Sequence, residues 1–341
     1  IGGDPDDPTS DSANRIHALI KGGASVASSD GKVSLSAVSS SSISAYSLGG
    51  AVAGFAALSG TTSLNFTRKD VVADIRDSAT EVSGAGGIAV SASDTSAISA
   101  ASAQVNVAVK GGAAGLSVAY LDIDNSILAG SQGATLDSSG GDIAIDARSR
   151  STNLIVIAGV SYGTFGAGAG NAGSSLINNT SVARIDGGSV DAAGNVSVVS
   201  DSKDVSTITL GTVSVGAVAL GGGVGVDLLG STSEAWIGGG ARVSAGAGGA
   251  AVSVRDDWNN GWTTDSHKGV VVLATSEVSF TSVAVTAAGA AGNALAANVV
   301  VDGVTGATRA YIDKARIDST ADVVVRALHR GDADSGGGAA A

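Results

Sequence analysis

Residues 141–148 have the sequence GDIAIDAR, in which Ile143, Ile145 and Ala147 occupy alternate positions. A period of two places apolar side chains on one face of an extended strand and the remaining side chains, here including Asp and Arg, on the other. The preceding Gly-Gly pair is typical of a tight turn. The stretch therefore predicts a short β-strand with one buried face.

This alternating strand recurs along the chain. Its counterparts share two apolar residues separated by one position, and they are Val33 and Leu35, Ile88 and Val90, Ile143 and Ile145, Val196 and Val198, Val252 and Val254, and Val323 and Val325. Successive members are 55, 55, 53, 56 and 71 residues apart. A second marker precedes each of them, an Ala-x-Ile-like pair at Ala18 and Ile20, Ala73 and Ile75, Ser126 and Leu128, Ala183 and Ile185, Ala235 and Ile237, and Ala310 and Ile312. Two markers with one period indicate internal repeats.

Short strands, glycine turns and a long period predict an all-β fold, a parallel β-solenoid rod built from units of about 55 residues. We expect an acidic lead-in over 1–17, one array over 18–328 and a Gly/Ala-rich tail over 329–341. The predicted units are 18–72, 73–125, 126–182, 183–234, 235–309 and 310–328. The spacing leaves open whether a unit forms two or three coils. The second residues of the Ala-x-Ile-like pairs should stack in one interior column of Ile20, Ile75, Leu128, Ile185, Ile237 and Ile312.

Composition restricts the fold and the partners. Glycine accounts for 51 of 341 residues, proline for two, and cysteine and methionine are absent. Only three of the 31 acidic residues are glutamates, so straight-chain helix formers are scarce and a helical domain is disfavoured. The net charge of −12, without a basic cluster, argues against nucleic acid and anionic membrane surfaces as partners. Without disulfides, stability must come from packing and backbone pairing.

Small or apolar residues occupy both alternating sets of positions in residues 97–123. Val105, Val107 and Val109 fall in one set, and Ala100 and Ala108 fall in the other. A strand of this kind is expected to be covered on both faces. Because the residues are small, the covering layer should approach closely. That layer is either a second sheet of the same chain, which we favour, or a neighbouring chain.

Two stretches resemble a known family. Residues 221–237 have the sequence GGGVGVDLLGSTSEAWI, and residues 292–312 have the sequence GNALAANVVVDGVTGATRAYI. These phrases are similar to the repeats of giant bacterial filamentous adhesins of the leukotoxin-like type, and the similarity covers nearly the whole chain from residue 18. The resemblance implies an extracellular rod that carries a binding element away from the cell. It supplies no catalytic residues.

Several strings match catalytic or metal-binding motifs at about the rate expected from abundant Gly and Ser. GVSYG around Ser161 fits a nucleophile elbow, and the glycines of residues 168–173 fit a dinucleotide fingerprint, but neither is followed by a helical pattern. Asp227 lies in an isolated calcium-type nonapeptide, which alone leaves an ion half coordinated. The Asp-rich turns at residues 4–7 and 122–124 are candidates for looser calcium binding, although solvated turns are the favoured explanation of them. His17, His267 and His329 have unrelated positions and form no metal set by spacing.

The fifth repeat is lengthened over residues 256–268. This insertion holds the candidate binding residues Trp258, Asn259, Asn260, Trp262 and His267. Asn260-Gly261 predicts a hairpin turn, and a three-residue loop would pair Trp258 with Trp262, whereas a two-residue loop would put them on opposite faces. The hairpin is either a protruding finger that binds a glycan or protein through its rings, or a loop whose tryptophans cover a flank of the solenoid.

We predict a non-catalytic structural and adhesive segment, a rod or stalk of a bacterial surface or secreted filamentous protein. The expected partners are a glycan or protein on a host or neighbouring cell, and copies of the chain itself. Uncharged runs at 210–226 and 279–301 are interrupted by polar residues and predict strands, not membrane insertion. Two alternatives stay open, a self-assembling extracellular matrix fibre and a carbohydrate-active β-helix enzyme, which would gather ionisable groups in one groove.

Overall fold

The computed structural model describes residues 14–257 and 263–341, and every regular element within them is a β-strand. In chain order the first strands are β1 (Asn14–Ile20), β2 (Ser25–Ser28), β3 (Val33–Ala53), β4 (Ala56–Arg76), β5 (Glu81–Gly84), β6 (Ile88–Ala108), β7 (Gly112–Gln132), β8 (Thr135–Ser138), β9 (Ile143–Gly163) and β10 (Gly166–Ile177). The remaining strands are β11 (Thr180–Asp186), β12 (Ser189–Ala192), β13 (Val196–Leu229), β14 (Thr232–Gly238), β15 (Arg242–Ala245), β16 (Val252–Asp257), β17 (Thr263–His267), β18 (Gly269–Val304), β19 (Ala307–Ile312), β20 (Arg316–Ser319) and β21 (Asp322–Ala340). The prediction of an all-β fold is confirmed, and within these ranges no helix is available to span a membrane.

Nineteen of the strands belong to three parallel ladders. The outbound ladder contains, in spatial order, β3, β6, β9, the first part of β13, the first part of β18, and β21. The return ladder contains β1, β4, β7, β10 with β11, the end of β13 with β14, and the end of β18 with β19. The short ladder contains β2, β5, β8, β12, β15 and β20. Long parallel ladders of this kind are consistent with a β-helix or solenoid.

Each layer of the ladders is formed by one interval of the repeat pattern, which is about 55 residues long. Val33 pairs with Ile88 and Ile88 pairs with Ile143, and hydrogen-bonded side chains across this ladder, such as Ser36 and Ser91, are 55 residues apart. A layer is this long because its outbound and return strands each contain 21 residues in the second interval. One interval therefore contributes a single layer to each ladder, not the two or three coils considered from the sequence.

Alternate residues of the long strands point inward and form hydrophobic cores, of which two are extensive. The first lies where all three ladders meet and includes Ile75, Val82 and Ile143, which are fully or almost fully buried. The second lies between the outbound and return ladders and includes Ile155 and Ile177. Each core continues from layer to layer, so every added strand buries its apolar face on its neighbours.

The predicted interior column is correct at five positions and wrong at the third. Ile20 pairs with Ile75, and Ile185 pairs with Ile237, which pairs in turn with Ile312. Between Ile75 and Ile185, however, the register places Ser131 and not Leu128. Leu128 lies on the opposite face of β7 and is half-buried, whereas Ser131 is fully buried. The shift of three residues reverses the face, because side chains alternate along a strand.

The marker at Val252 and Val254 is also wrong. The residue that continues the outbound ladder from Val196 is Val270, not Val252. Val252 begins the antiparallel pair of β16 and β17, in which it lies opposite His267. The inserted hairpin therefore begins before residue 256, the predicted start of the insertion.

The two sets of small residues in 97–123 have different environments. Ala100 and Ala108 are buried, and a Cβ placed on Gly115 of β7 would overlap the side chains of Gln104 and Asn106 of β6. This close approach within one chain confirms the intramolecular interpretation for the inner face. The outer set is exposed, with 51% of Val105 accessible, so the expectation that both faces are covered is wrong within this chain.

Candidate functional site

The insertion is a hairpin attached to the outer side of the outbound ladder. Its strands β16 and β17 pair with Val252 opposite His267 and Asp257 opposite Thr263. Val254 is fully buried and packs with Val271 and Leu273 of β18, which face away from the interior of the ladders. The base of the hairpin therefore lies down on the neighbouring strand.

One asparagine side chain binds both ends of the insertion. The Asn195 amide donates from Nδ2 to the carbonyl of Ala250 at 2.7 Å, and its Oδ1 accepts from the N–H of Gly269 at 2.7 Å. Nδ2 also donates to Oδ1 of Asp142 at 2.9 Å in the preceding layer. Since Asn195 is fully buried, these bonds fix the insertion at a corner of the fold.

His267 connects the returning strand of the hairpin to the last outbound strand. Its Nδ1 lies 3.0 Å from Oδ2 of Asp322, and its Nε2 lies 3.5 Å from Oδ2 of Asp265. The second separation is an ion-pair distance that is too long for a good hydrogen bond. The position of His267 between two carboxylates makes it part of the hairpin's attachment.

The other four candidate binding residues, Trp258, Asn259, Asn260 and Trp262, lie outside the described residues. The strands on either side, β16 and β17, are antiparallel, and their register shifts between Arg255 and the last pair, Asp257 and Thr263. The binding role of these residues stays a prediction.

Buried aspartates inside the ladders were missed by the sequence analysis, which assigned aspartates to turns. Asp94 of β6 is 1% exposed and accepts from the ammonium group of Lys69 at 2.7 Å and from Asn125 at 3.0 Å. Further along the stack, Asp204 of β13 accepts a hydrogen bond from Asn179 at 2.9 Å. Burial raises the pKa of the Asp204 carboxyl group. The sequence did contain a signal for this burial. Asp94 is an even number of residues from the core residue Ile88 in the same strand, so both side chains point to the same face.

Asp227 is the least well paired of these carboxylates. It is fully buried and lies opposite Asp302 of the next layer. Neither of its carboxylate oxygens has a hydrogen bond of good geometry, while the nearby hydroxyls of Ser175 and Ser206 bond each other at 2.7 Å. Burial, with a smaller contribution from Asp302, raises the pKa of Asp227 to about 6, and the two serines offset part of this rise.

The catalytic-looking strings lie within strands. Ser161 is fully buried in β9, and its hydroxyl has no hydrogen-bond partner. Residues 168–173 lie inside β10, where no helix N-terminus follows to hold a pyrophosphate. Neither string has the strand–turn–helix setting that its chemistry requires.

The candidate calcium positions do not come together. Asp122 and Asp124 are on the outer face of β7 and not in a turn, and Arg68 lies 3.7 Å from Asp124. Burial raises the pKa of Asp122. Residues 4–7 lie outside the described residues. Across residues 14–257 and 263–341, no group of three or more His, Asp or Glu side chains could hold a metal ion.

Among the grooves on the outer faces of the ladders, two differ clearly in chemistry. The larger, about 800 Å³, crosses the return ladder and is lined by Leu, Gly, Ala and Ser. The smaller, about 240 Å³, crosses the short ladder and brings together Asp191, Arg242, Arg316 and Asp318. The smaller groove is thus a concentration of ionisable groups on one flank, which the sequence analysis did not anticipate.

Comparisons of the chain with known protein families, with characterised proteins and with solved structures find no match. Assignment of a function therefore rests on the chain's own residues.

Proposed function

We propose that this chain is a non-catalytic structural and adhesive segment, a β-solenoid rod of a bacterial surface or secreted filamentous protein. The observation that carries this proposal is the unbroken register of the outbound ladder, in which Val33, Ile88, Ile143, Val196, Val270 and Val323 pair in sequence. Each layer adds about 4.8 Å to the length of such a stack. A rod of this kind therefore lengthens by repetition of the same layer.

The proposed binding element is the hairpin insertion. At this place the number of residues between ladder partners rises from 55 to 74. Asn195 and His267 hold its base, and the sequence between β16 and β17 contains Trp258 and Trp262. Exposed aromatic rings fixed on a rigid support are favourable contacts for glycans and proteins. In this interpretation the ladders support the insertion and its tryptophans contact the other cell.

The experiment compares the full chain with the double variant Trp258→Ala and Trp262→Ala. The variant should lose binding to cells or to immobilised glycans while its melting temperature stays unchanged. A matched control is Trp236→Ala, because Trp236 lies in β14 and stacks on Tyr311 with ring centroids 6.0 Å apart. This control should lower stability and leave binding intact. A large fall in stability of the double variant, with binding retained, would show that the tryptophans only cover the ladder.

The charged groove favours a second candidate, a carbohydrate-active β-helix enzyme. Asp191 and Asp318 supply carboxylates, and Arg242 and Arg316 supply cations, on one flank of the short ladder. Carboxylate pairs serve as acid and base in glycoside cleavage. Release of reducing ends from a panel of polysaccharides, abolished by Asp318→Asn, would support this candidate. The absence of turnover with every polysaccharide tested would count against it.

A further inference from the structure

The charged groove of the short ladder contains two arginines that lie side by side. Arg242 of β15 and Arg316 of β20 are partners in the parallel register, so their strands are about 4.8 Å apart at this point. Both side chains are exposed, and like charges that face each other across a ladder destabilise it. Within residues 14–257 and 263–341, neither guanidinium group has an ion pair or a hydrogen bond. The groove therefore holds two adjacent cations that no carboxylate of these residues neutralises.

The lack of an ion pair at Arg316 contrasts with similar places in the chain. In β4, Arg76 lies two positions from Asp74 and forms an ion pair with it at 2.7 Å, and a pair with the same spacing in β21 is 2.8 Å apart. Arg316 and Asp318 have this spacing in β20, but they form no such pair. Both charged groups are thus open to contact with a ligand.

The remaining lining of the groove consists mainly of hydrogen-bonding groups. In the ladder register Ser189 lies beside Arg242, and Ser244 lies between Asp191 and Asp318. The groove volume of about 240 Å³ is below the ~300–1,000 Å³ of pockets for drug-sized ligands, so the groove suits one small polar unit. Its two cations and two carboxylates require a ligand that carries both an anionic group and several hydrogen-bond donors.

We propose that the charged groove binds a uronate, a sugar unit with one carboxylate and several hydroxyl groups. The uronate carboxylate accepts hydrogen bonds from Arg242 and Arg316, because the planar fork of donors on a guanidinium group matches carboxylate geometry. The sugar hydroxyls donate to the carboxylates of Asp191 and Asp318. A phosphate group fits less well, because its second negative charge would face these two carboxylates.

The acidity of the whole chain is compatible with an acidic ligand at this place. The net charge is −12, but at physiological ionic strength the charges more than about 8 Å from the ligand are largely screened. The two guanidinium groups contact the ligand directly, so screening weakens their attraction least. This site lies on a different ladder from the hairpin, and it requires binding of the sugar without cleavage.

Calorimetric titration of the full chain with trigalacturonate, in a buffer freed of divalent cations, tests this inference. The unaltered chain should bind the trisaccharide. The double variant Arg242→Gln and Arg316→Gln should bind it at least about tenfold more weakly, because two charge-assisted hydrogen-bonding groups are lost. The matched control is Arg309→Gln, which removes an exposed arginine from β19 of the return ladder and should leave the affinity unchanged.

Thermal melting shows whether the double variant is folded. Its melting temperature without ligand should equal or exceed that of the unaltered chain, because the substitutions remove a repulsion between like charges. Trigalacturonate should raise the melting temperature of the unaltered chain and not that of the double variant. If the double variant unfolds, Arg316→Lys takes its place, since it keeps the charge, lacks the fork of donors and should also weaken binding.

Three results would overturn the inference. They are the absence of trigalacturonate binding by the unaltered chain, an unchanged affinity in the arginine variants, and equally tight binding of sulfated maltotriose, which would show attraction to any anionic sugar. The double variant Trp258→Ala and Trp262→Ala should bind trigalacturonate like the unaltered chain. Failure of the adhesive role of the hairpin is therefore distinguishable from failure of the uronate site.

Discussion

Oδ1 of Asn195 accepts a hydrogen bond from the N–H of Gly269 at 2.7 Å, although the two residues are 74 positions apart. In the preceding layers the corresponding separation is about 55, and the additional residues form the hairpin. Gly269 is the first residue of β18, so this bond restores the ladder directly after the insertion. A single amide thus lets the chain leave the ladder and return to it in register.

Replacement of Asn195 should therefore loosen the hairpin. Asn195→Ala removes the bonds to Ala250, Asp142 and Gly269, and we expect a loss of about 1–3 kcal/mol together with faster hydrogen exchange at the Gly269 amide. Asn293→Ala, at an exposed position of β18, is the control and should change stability little. Exchange at Gly269 as slow as in the unaltered chain would contradict the role of Asn195.

The corrected interior column can be tested with two aspartate substitutions. Ile185→Asp buries an unpaired charge between Ser131 and Ile237 and should lower the unfolding free energy by several kcal/mol. Leu128→Asp should cost far less, because Leu128 is half-buried on the other face of β7. Urea unfolding distinguishes the two, and an equal loss from both variants would mean that the register is wrong.

Ser131 offers a stabilising substitution. Its hydroxyl is fully buried without a hydrogen-bond partner, and it lies between Ile75 and Ile185 in the ladder. Ser131→Val removes this polar group and adds apolar contact, so we expect a gain of about 1–2 kcal/mol. The same change at the exposed Ser126 should have almost no effect. Thermal melting checks the difference, and a destabilised Ser131→Val would indicate that the column has no space for a larger side chain.

Asp227 should make stability depend on pH. Its folded-state pKa of about 6 lies above the ordinary 3.8, so the folded chain holds the proton more tightly than the unfolded chain. The stabilisation from this proton is complete below the ordinary pKa and is lost as the pH rises through 6. Lowering the pH from 7 to 5 should therefore stabilise the unaltered chain by about 1.4 kcal/mol relative to Asp227→Asn.

The matched control for this pH effect is Asp137→Asn, at an exposed position of β8. It should follow the unaltered chain between pH 7 and pH 5. If Asp227→Asn also followed the unaltered chain, Asp227 would be ionised in the core at both pH values.

The close approach of β6 and β7 predicts a difference between two glycine substitutions. Gly115→Ala places a methyl group against Gln104 and Asn106 and should cost about 1–3 kcal/mol through overpacking. Gly211→Ala meets its nearest heavy atom only at 3.9 Å and should be neutral or slightly stabilising. Equal melting temperatures for both variants would place Gly115 in open space.

The sequence was sufficient for the strand class and the approximate layer spacing. Alternation such as that of Ile143 and Ile145 is produced by any strand with one buried face, and its recurrence reports how often the chain returns to the same ladder. The same reasoning identified the hairpin insertion, because extra length interrupts a regular interval. It could not define the candidate site further, since Asn195 and the groove that contains Arg242 depend on residues in other layers.

Only the tertiary structure decided the register and the contents of the interior. Val252-x-Val254 has the same local pattern whether it belongs to the ladder or to a hairpin, and the choice depends on which strand lies beside it. The burial of Asp94 likewise depends on Lys69, which is 25 residues away in the sequence. The two side chains meet only because β4 and β6 lie close together in the fold. Local alternation specifies a face and a period, but pairing between layers is a long-range property, because the energy of each contact depends on the residue that the neighbouring layer supplies.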